Sequence, residues 1–186
     1  MKAHDFHATN EHDRRQRRFD FTVHKHPMVR NALQELFHGK CAYCETKAGV
    51  WGGLEIEHFR PKGGVVRPDG TLLPDHYWWL ALEWDNLYLA CIQCNRRHRS
   101  STTVAGAARP EIVGKGDRFP LEDESTRAVV LADWEQLANE KPLLLDPCRD
   151  DPTEHLVFLT DGLGGWCLSG SASSLVDPGW ARIISM

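Results

Sequence analysis

The apolar and polar positions of this chain change period several times along its first half. From Pro27, Val29, Leu33, Leu36 and Phe37 recur at helical spacing, proline suits the first helical position, and Gly39 supplies a stop, which predicts a helix over Pro27 to His38. Leu54-Glu-Ile-Glu-His-Phe59 alternates as a half-buried strand does, and Pro61 closes it. Residues 62–75, with Gly63, Gly64, Pro68, Gly70 and Pro74, read as a loop. Tyr77 to Trp84 is dense in aromatic and aliphatic residues and reads as a short buried helix. Asn86 to Cys91 is a second strand, and a helix rich in arginine is expected to begin near Cys94.

Beyond residue 100 the pattern weakens. Gly106 to Gly116 reads as loop, Glu122 to Ala138 has patchy helical character, and Pro142-Leu-Leu-Leu-Asp-Pro147 is an apolar insert between prolines. Residues 153–168 suggest a hairpin around Asp161-Gly162. No internal repeat is visible.

With 186 residues the chain suits one domain with its own core. The first 26 residues are polar and rich in histidine and read as a mobile or partner-dependent arm. Residues 27–168 form the domain proper, with an extension from about 100, and 169–186 are a tail. No apolar run approaches the roughly 20 residues that span a bilayer, and the N-terminus lacks the apolar stretch of a signal peptide, so no membrane association and a cytoplasmic location are expected.

The formal net charge of −4 is not the usual footprint of a nucleic-acid binder, so any such binding has to be local. Basic residues cluster at Arg14, Arg15, Arg17 and Arg18 and again at Arg96, Arg97 and Arg99; such runs are also what a solvated face looks like.

Six cysteines without a secretory signal point to metal rather than disulfides. Cys41 and Cys44 form one C-x-x-C, Cys91 and Cys94 a second, while Cys148 and Cys167 stand alone. Two such turns complete a tetrahedral thiolate shell for one structural zinc ion, against the alternatives of unliganded buried cysteines or a redox pair. Because 46 residues separate Cys44 from Cys91, the ion would staple distant segments together. A closed shell has no open position, which makes this zinc structural rather than catalytic.

Between the two pairs lies Glu55-Ile-Glu57-His58-Phe-Arg-Pro-Lys62, and astride the second lies Asn86-Leu-Tyr-Leu-Ala-Cys-Ile-Gln-Cys-Asn95-Arg-Arg-His98. This order resembles the HNH nuclease signature. The resemblance implies an α+β fold with a ββα-metal core, a four-cysteine zinc knuckle and flanking helices and loops. It places Glu57 as a metal ligand, His58 as general base, Asn86 as the middle asparagine that holds the loop and orients His58, and Asn95 as the last, metal-facing residue. A magnesium or manganese ion held by Glu57 and Asn95 would bind the scissile phosphate, while His58 takes a proton from water. Neighbours on a regular strand face opposite ways, so Glu57 and His58 serve one phosphate only at a strand end or distortion. Glu55, two residues from Glu57 on the same nominal face, is the rival carboxylate, and His98 could ligate metal, touch phosphate or cap the helix. Arg96, Arg97 and Arg99 are the expected nucleic-acid contacts.

Outside the core, Phe37-His-Gly-Lys-Cys-Ala-Tyr-Cys-Glu45, Ile56-Glu-His-Phe-Arg-Pro-Lys62, Tyr77-Trp-Trp-Leu, Trp84-Asp-Asn-Leu-Tyr-Leu-Ala-Cys91, Phe119-Pro-Leu121 and Pro142-Leu-Leu-Leu-Asp-Pro147 with Asp151-Pro152 and His155 are similar to HNH proteins of bacterial Septu-type and retron-associated anti-phage systems. That similarity covers roughly residues 35–165 and departs from about Gly170. It implies a DNA-cutting effector working with an ABC-type ATPase. A stand-alone restriction-type nuclease and a non-catalytic zinc module binding nucleic acid or an ATPase are the competing readings.

Overall fold

The structure is a computed structural model that describes residues 2–8, 19–50, 52–74, 76–104, 107–128, 131, 134–160 and 166–170. The helix expected after Pro27 runs Pro27–Leu36. The His26 side chain accepts the Met28 N–H at 3.2 Å, satisfying one donor of the open first turn. The helix stops because His38 and Gly39 both take left-handed φ, 52° and 67°. Leu33 is wholly buried and Val29 and Phe37 pack beside it, but Leu36, on the flank of the stripe, is exposed.

Two antiparallel strands carry the centre of the molecule. β1 (Leu54–His58) pairs with β4 (Leu87–Cys91) in a register that runs from Leu54 opposite Cys91 to His58 opposite Leu87. Every position of β4 is buried, so it reads as a continuous apolar run rather than an alternating one. Phe59, Tyr77, Phe119, Leu137 and Leu144 close the core around this pair.

Several expectations are corrected. The segment 62–75 is not all loop: β2 (Gly64–Val66) and β3 (Leu72–Pro74) form a small hairpin that buries Val65 completely. Gly64 is required there, since a Cβ would lie 2.9 Å from the Leu73 carbonyl oxygen at a φ of 120°. The buried helix expected from Tyr77 to Trp84 is replaced by two 3-10 turns, Trp78–Leu80 and Trp84–Asn86, with Tyr77 left-handed at φ 57°. Asn86 thus ends a turn, and the strand begins at Leu87.

The arginine-rich helix is only one turn, Ile92–Asn95. To continue, it would need the Cys94 and Asn95 carbonyls for the N–H groups of residues 98 and 99. Those carbonyls instead accept from Lys115 N and Gly116 N, each at 2.7 Å. The chain turns away into β5 (His98–Val104), which pairs with β6 (Ala107–Val113), so most of the expected loop 106–116 is strand.

Among the described residues of 122–138 the helical elements are a 3-10 turn at Glu124–Thr126 and a helical turn at Trp134–Leu137. They are tied to the centre by a buried network rather than by long helices. Glu140 accepts from Arg60 Nε at 2.8 Å, Tyr77 Oη at 2.6 Å and Ala128 N at 2.8 Å. Asp146 accepts from the Tyr88 hydroxyl at 2.5 Å and from Arg149 at 2.7 Å. After the helical turn Pro152–His155, β7 (Leu156–Thr160) and β8 (Trp166–Gly170) form a hairpin; the Asp161-Gly162 turn lies outside the described residues.

Within the first 26 residues, Phe6 and Phe21 are buried, and Phe21 packs with Trp78 and Ala81. Arg14, Arg15, Arg17 and Arg18 lie outside the described residues. Among the described residues no helix is long and apolar enough to cross a membrane.

Candidate active site and metal centre

The knuckle after the first helix is built by a left-handed Glu45, φ 56°, which lets Glu45 N bond Cys41 O and Cys41 N bond Thr46 O, both at 2.9 Å. Ala42 N then donates to Leu89 O at 2.7 Å, fixing the knuckle against β4. On the other side Cys91 caps the helical turn, its sulfur accepting from Cys94 N at 3.4 Å. The result is that Cys41, Cys44, Cys91 and Cys94 bring their sulfurs within 4.8 Å of one another, and Cys44 Sγ lies 3.8 Å from Cys91 Sγ. A tetrahedral zinc with bonds near 2.3 Å spaces its sulfurs by about 3.8 Å, so this tetrad fits a zinc ion. It is the sole cluster of three or more histidine, cysteine, aspartate or glutamate ligands found among the described residues.

His58 ends β1 and is almost wholly buried. Its Nε2 lies 2.9 Å from Ala81 O, an atom that can only accept, so Nε2 carries the proton and Nδ1 presents the lone pair. Lys62 Nζ stands 3.2 Å from that lone pair. Burial first, and the Lys62 ammonium second, lower its pKa from 6.5 to about 3, so His58 is neutral and unprotonated at Nδ1. The ring of His24 meets the His58 ring edge-on, with centroids 4.9 Å apart.

Asn86 does hold the loop, but it does not touch His58 by a hydrogen bond. Its Oδ1 accepts from Arg60 N at 2.7 Å, and its Nδ2 donates to Arg60 O at 3.0 Å and Leu80 O at 3.1 Å. One buried amide thus locks the chain leaving β1 to the turn that presents Ala81 O, and His58 is oriented through that carbonyl.

The two carboxylates have different partners from those expected. Glu57 faces away from His58 and takes Lys115 Nζ at 2.5 Å, an ammonium that also reaches His58 O at 2.9 Å and is fully buried. Burial raises the Glu57 pKa and the Lys115 charge pulls it back down. Asn95 Nδ2 instead donates to Glu55 Oε2 at 2.8 Å, and Arg96 forks onto the same carboxylate. Glu57 and Asn95 thus each hold a different partner from the one expected, and a magnesium or manganese ion shared by the two would have to compete with Lys115 for Glu57. Arg96, Arg97 and Arg99 are exposed, and His98 Nδ1 lies 2.9 Å from Arg96 O.

Three groups at the site were not singled out from the sequence. Lys62 stands in the quoted motif without a role, and the Ala81 carbonyl has no sequence signal. Lys115 hid in an expected loop, although the flanking Gly114 and Gly116 are a signal of close backbone approach. Gly114 has φ 82°, and a Cβ there would lie 2.0 Å from Arg96 O. Only glycine lets the chain pass the helical turn and deliver Lys115 inward.

No protein-family model matches the chain, and no solved structure matches it. Curated relatives do. It is 40% identical over 147 residues to Septu protein PtuB of Bacillus mycoides (strain KBAB4), covering 78% of this chain and 43% of that protein. It is 32% identical over 137 residues to Septu protein PtuA of the same strain, covering 73% of this chain and 16% of the relative. A PtuB protein of Bacillus thuringiensis is 34% identical over 70 residues, 37% of this chain and 23% of the relative. The chain is similar to Septu proteins. It spans less than half the length of each of these relatives.

Proposed function

We propose that this chain is an HNH-type endonuclease that hydrolyses phosphodiester bonds, most simply in DNA, as the effector of a Septu-type anti-phage system. The observation that carries the reading is His58, held neutral with Nε2 on Ala81 O and with an unprotonated Nδ1 beside a lysine, at the end of a strand fixed by the cysteine tetrad. Water would lose its proton to Nδ1 as its oxygen bonds to phosphorus. The ester bond to the leaving oxygen breaks with its electron pair, and that oxygen takes a proton from solvent.

Lys62 has a part in this. Its ammonium now rests on the lone pair of the base and depresses its basicity. An arriving phosphate offers Lys62 a better, anionic partner, which uncovers Nδ1 and brings negative charge that raises its proton affinity. Asn86 keeps Ala81 O in place, and the zinc tetrad keeps β4 and the knuckle in register.

A magnesium or manganese ion, which the HNH resemblance implies, would bind phosphate oxygen and stabilise the leaving group. Glu57 and Asn95, its expected holders, are engaged by Lys115 and Glu55, and the steps above are carried by the chain's own side chains. Similarity to PtuB and PtuA supports a Septu system as the context, and the resemblance stated for the motifs supports an ABC-type ATPase as the partner. Arg96, Arg97 and Arg99 supply the local positive charge for nucleic acid, a cytoplasmic setting follows from that role, and the alternatives are a stand-alone nuclease and a non-catalytic zinc module.

The deciding experiment is cleavage of DNA and RNA by the zinc-replete full chain, with and without the ATPase, with magnesium, manganese or chelator, against His58→Ala. Loss of a general base lowers the rate about a hundredfold to ten-thousandfold. Cleavage that persists in His58→Ala removes His58 from the chemistry. No cleavage under any condition, with nucleic acid or ATPase still bound, leaves the zinc module.

A further inference from the structure

His24 stands just before the first long helix, in the 3-10 turn Val23–Lys25, thirty positions ahead of the start of the strand that ends in His58. Nothing in the HNH order of residues calls for it. Yet Phe21 anchors this segment on Trp78 and Ala81, the residue whose carbonyl holds His58. His24 is 4% exposed, and among the described residues its Nδ1 finds no hydrogen-bond partner. An unpaired buried polar group costs about 1–3 kcal/mol, so its retention beside a candidate base calls for a partner that arrives later.

The groups around it indicate what that partner is. His58 lies ring against ring with His24 at 4.9 Å, and Lys62 is 3.2 Å from His58 Nδ1. Lys62 and Lys25 are the cations that act on His24, with Asp20 the opposing charge, and Asp20 is itself paired with Lys25 at 3.3 Å. Two segments thus bring two imidazoles and one ammonium together, and among the described residues no carboxylate is hydrogen-bonded to any of the three, although Glu57 and Asp117 act on Lys62 through their charge. Such a cluster is built to receive an anion.

We propose that His24 is a catalytic residue of the same site, donating a ring N–H to a non-bridging oxygen of the scissile phosphodiester while Lys62 takes the other. This rests on the reading of His58 as general base. The N-terminal segment then completes the active site, and the two donors act on charge that grows as water attacks, where they lower the barrier most.

The test uses His24→Phe, which keeps the ring packed against His58 and removes both nitrogens, and His24→Gln, which keeps a donor. In the zinc-replete full chain, with the ATPase where the chain alone is inactive, His24→Phe is expected to lower kcat about a hundredfold with KM within about threefold, as for loss of one oxyanion donor. His24→Gln should recover part of that, with zinc content unchanged in both and the melting temperature of His24→Phe at or above that of wild type, since it removes an unpaired buried polar group. An independent readout is the ring 15N shift of His24 during titration with inorganic phosphate, which should move in wild type and in His58→Ala alike. If His58→Ala cleaves normally, the general-base reading fails, whereas phosphate still shifting His24 preserves the anion site. If His58→Ala is dead but His24→Phe cleaves at the wild-type rate, or faster, His24 is only packing or cover and the proposal is overturned.

Discussion

Replacing Glu57 by alanine should unfold this protein more readily before it says anything about metal. Lys115 is completely buried, and its ammonium is held by Glu57 Oε1 at 2.5 Å, His58 O at 2.9 Å and Gly116 O at 3.3 Å. Removing the carboxylate leaves a buried charge with two carbonyls and no counterion, and breaking such a pair costs about 3–5 kcal/mol. The remaining carbonyls place the expected loss near the lower end, about 3 kcal/mol. The exposed pair Lys25–Asp20 is a suitable contrast, since removing it should change stability by about 0–1 kcal/mol. Urea unfolding followed by tryptophan fluorescence, at fixed zinc and pH 7.5, reads both. Lys115→Met with Glu57→Gln should recover much of the loss, because both charges are gone together. A Glu57→Ala protein that loses less than about 1 kcal/mol, yet demands far more magnesium for cleavage, would refute the ion-pair argument and return Glu57 to the metal.

Further outcomes follow from other parts of the site. The purified chain should carry about one zinc, and Cys41→Ser or Cys94→Ser should release it and unfold the domain, as metal analysis with circular dichroism would report; a folded, zinc-free variant rules out the structural role. His24 and His58 have pKa values lowered to about 4 and about 3, mainly by burial, so the folded chain resists protons that the unfolded chain accepts below 6.5. Stability should therefore be full above pH 6.5 and fall as pH drops toward 4, by about 1.4 kcal/mol per unit per histidine, and His24→Phe should roughly halve the slope in urea melts at matched zinc content. Asn86→Ala strands buried Arg60 N and two carbonyls and should cost about 1–3 kcal/mol together with most of the activity; Asn86→Asp, which sets a carboxylate against those carbonyls, should be worse. Gly114→Ala, whose Cβ would meet Arg96 O, should fail to accumulate as folded protein; a thermal melt like wild type would show that the turn can move.

Much of the site was legible because its residues sit inside short local patterns. The paired C-x-x-C turns correctly placed the four cysteines in one cluster that could hold a zinc ion, since two sulfurs three residues apart converge whatever surrounds them. The alternation of Leu54 to His58 gave the strand and its end, and it gave the warning that Glu57 and His58 face opposite ways, which the Lys115 and Ala81 contacts match. The helix at Pro27 was legible from its proline, its apolar stripe and its glycine stop.

Partner choice was not legible. Local pattern says that Asn95 is near a carboxylate, but Glu55 and Glu57 share a strand face and only packing selects Glu55. The arginine-rich helix failed for the same reason: its propensity is ordinary, and it is stopped by N–H groups of residues 115 and 116 that claim its carbonyls from another part of the chain. The turn types and ligand spacings were written by residues within a few positions of one another, and the sequence alone determined them. What occupies Glu57, what caps His58 and what lies against its ring come from Lys115, Ala81, Lys62 and His24, segments that meet only when the core excludes water and every buried polar group has to find whatever partner the fold brings within reach.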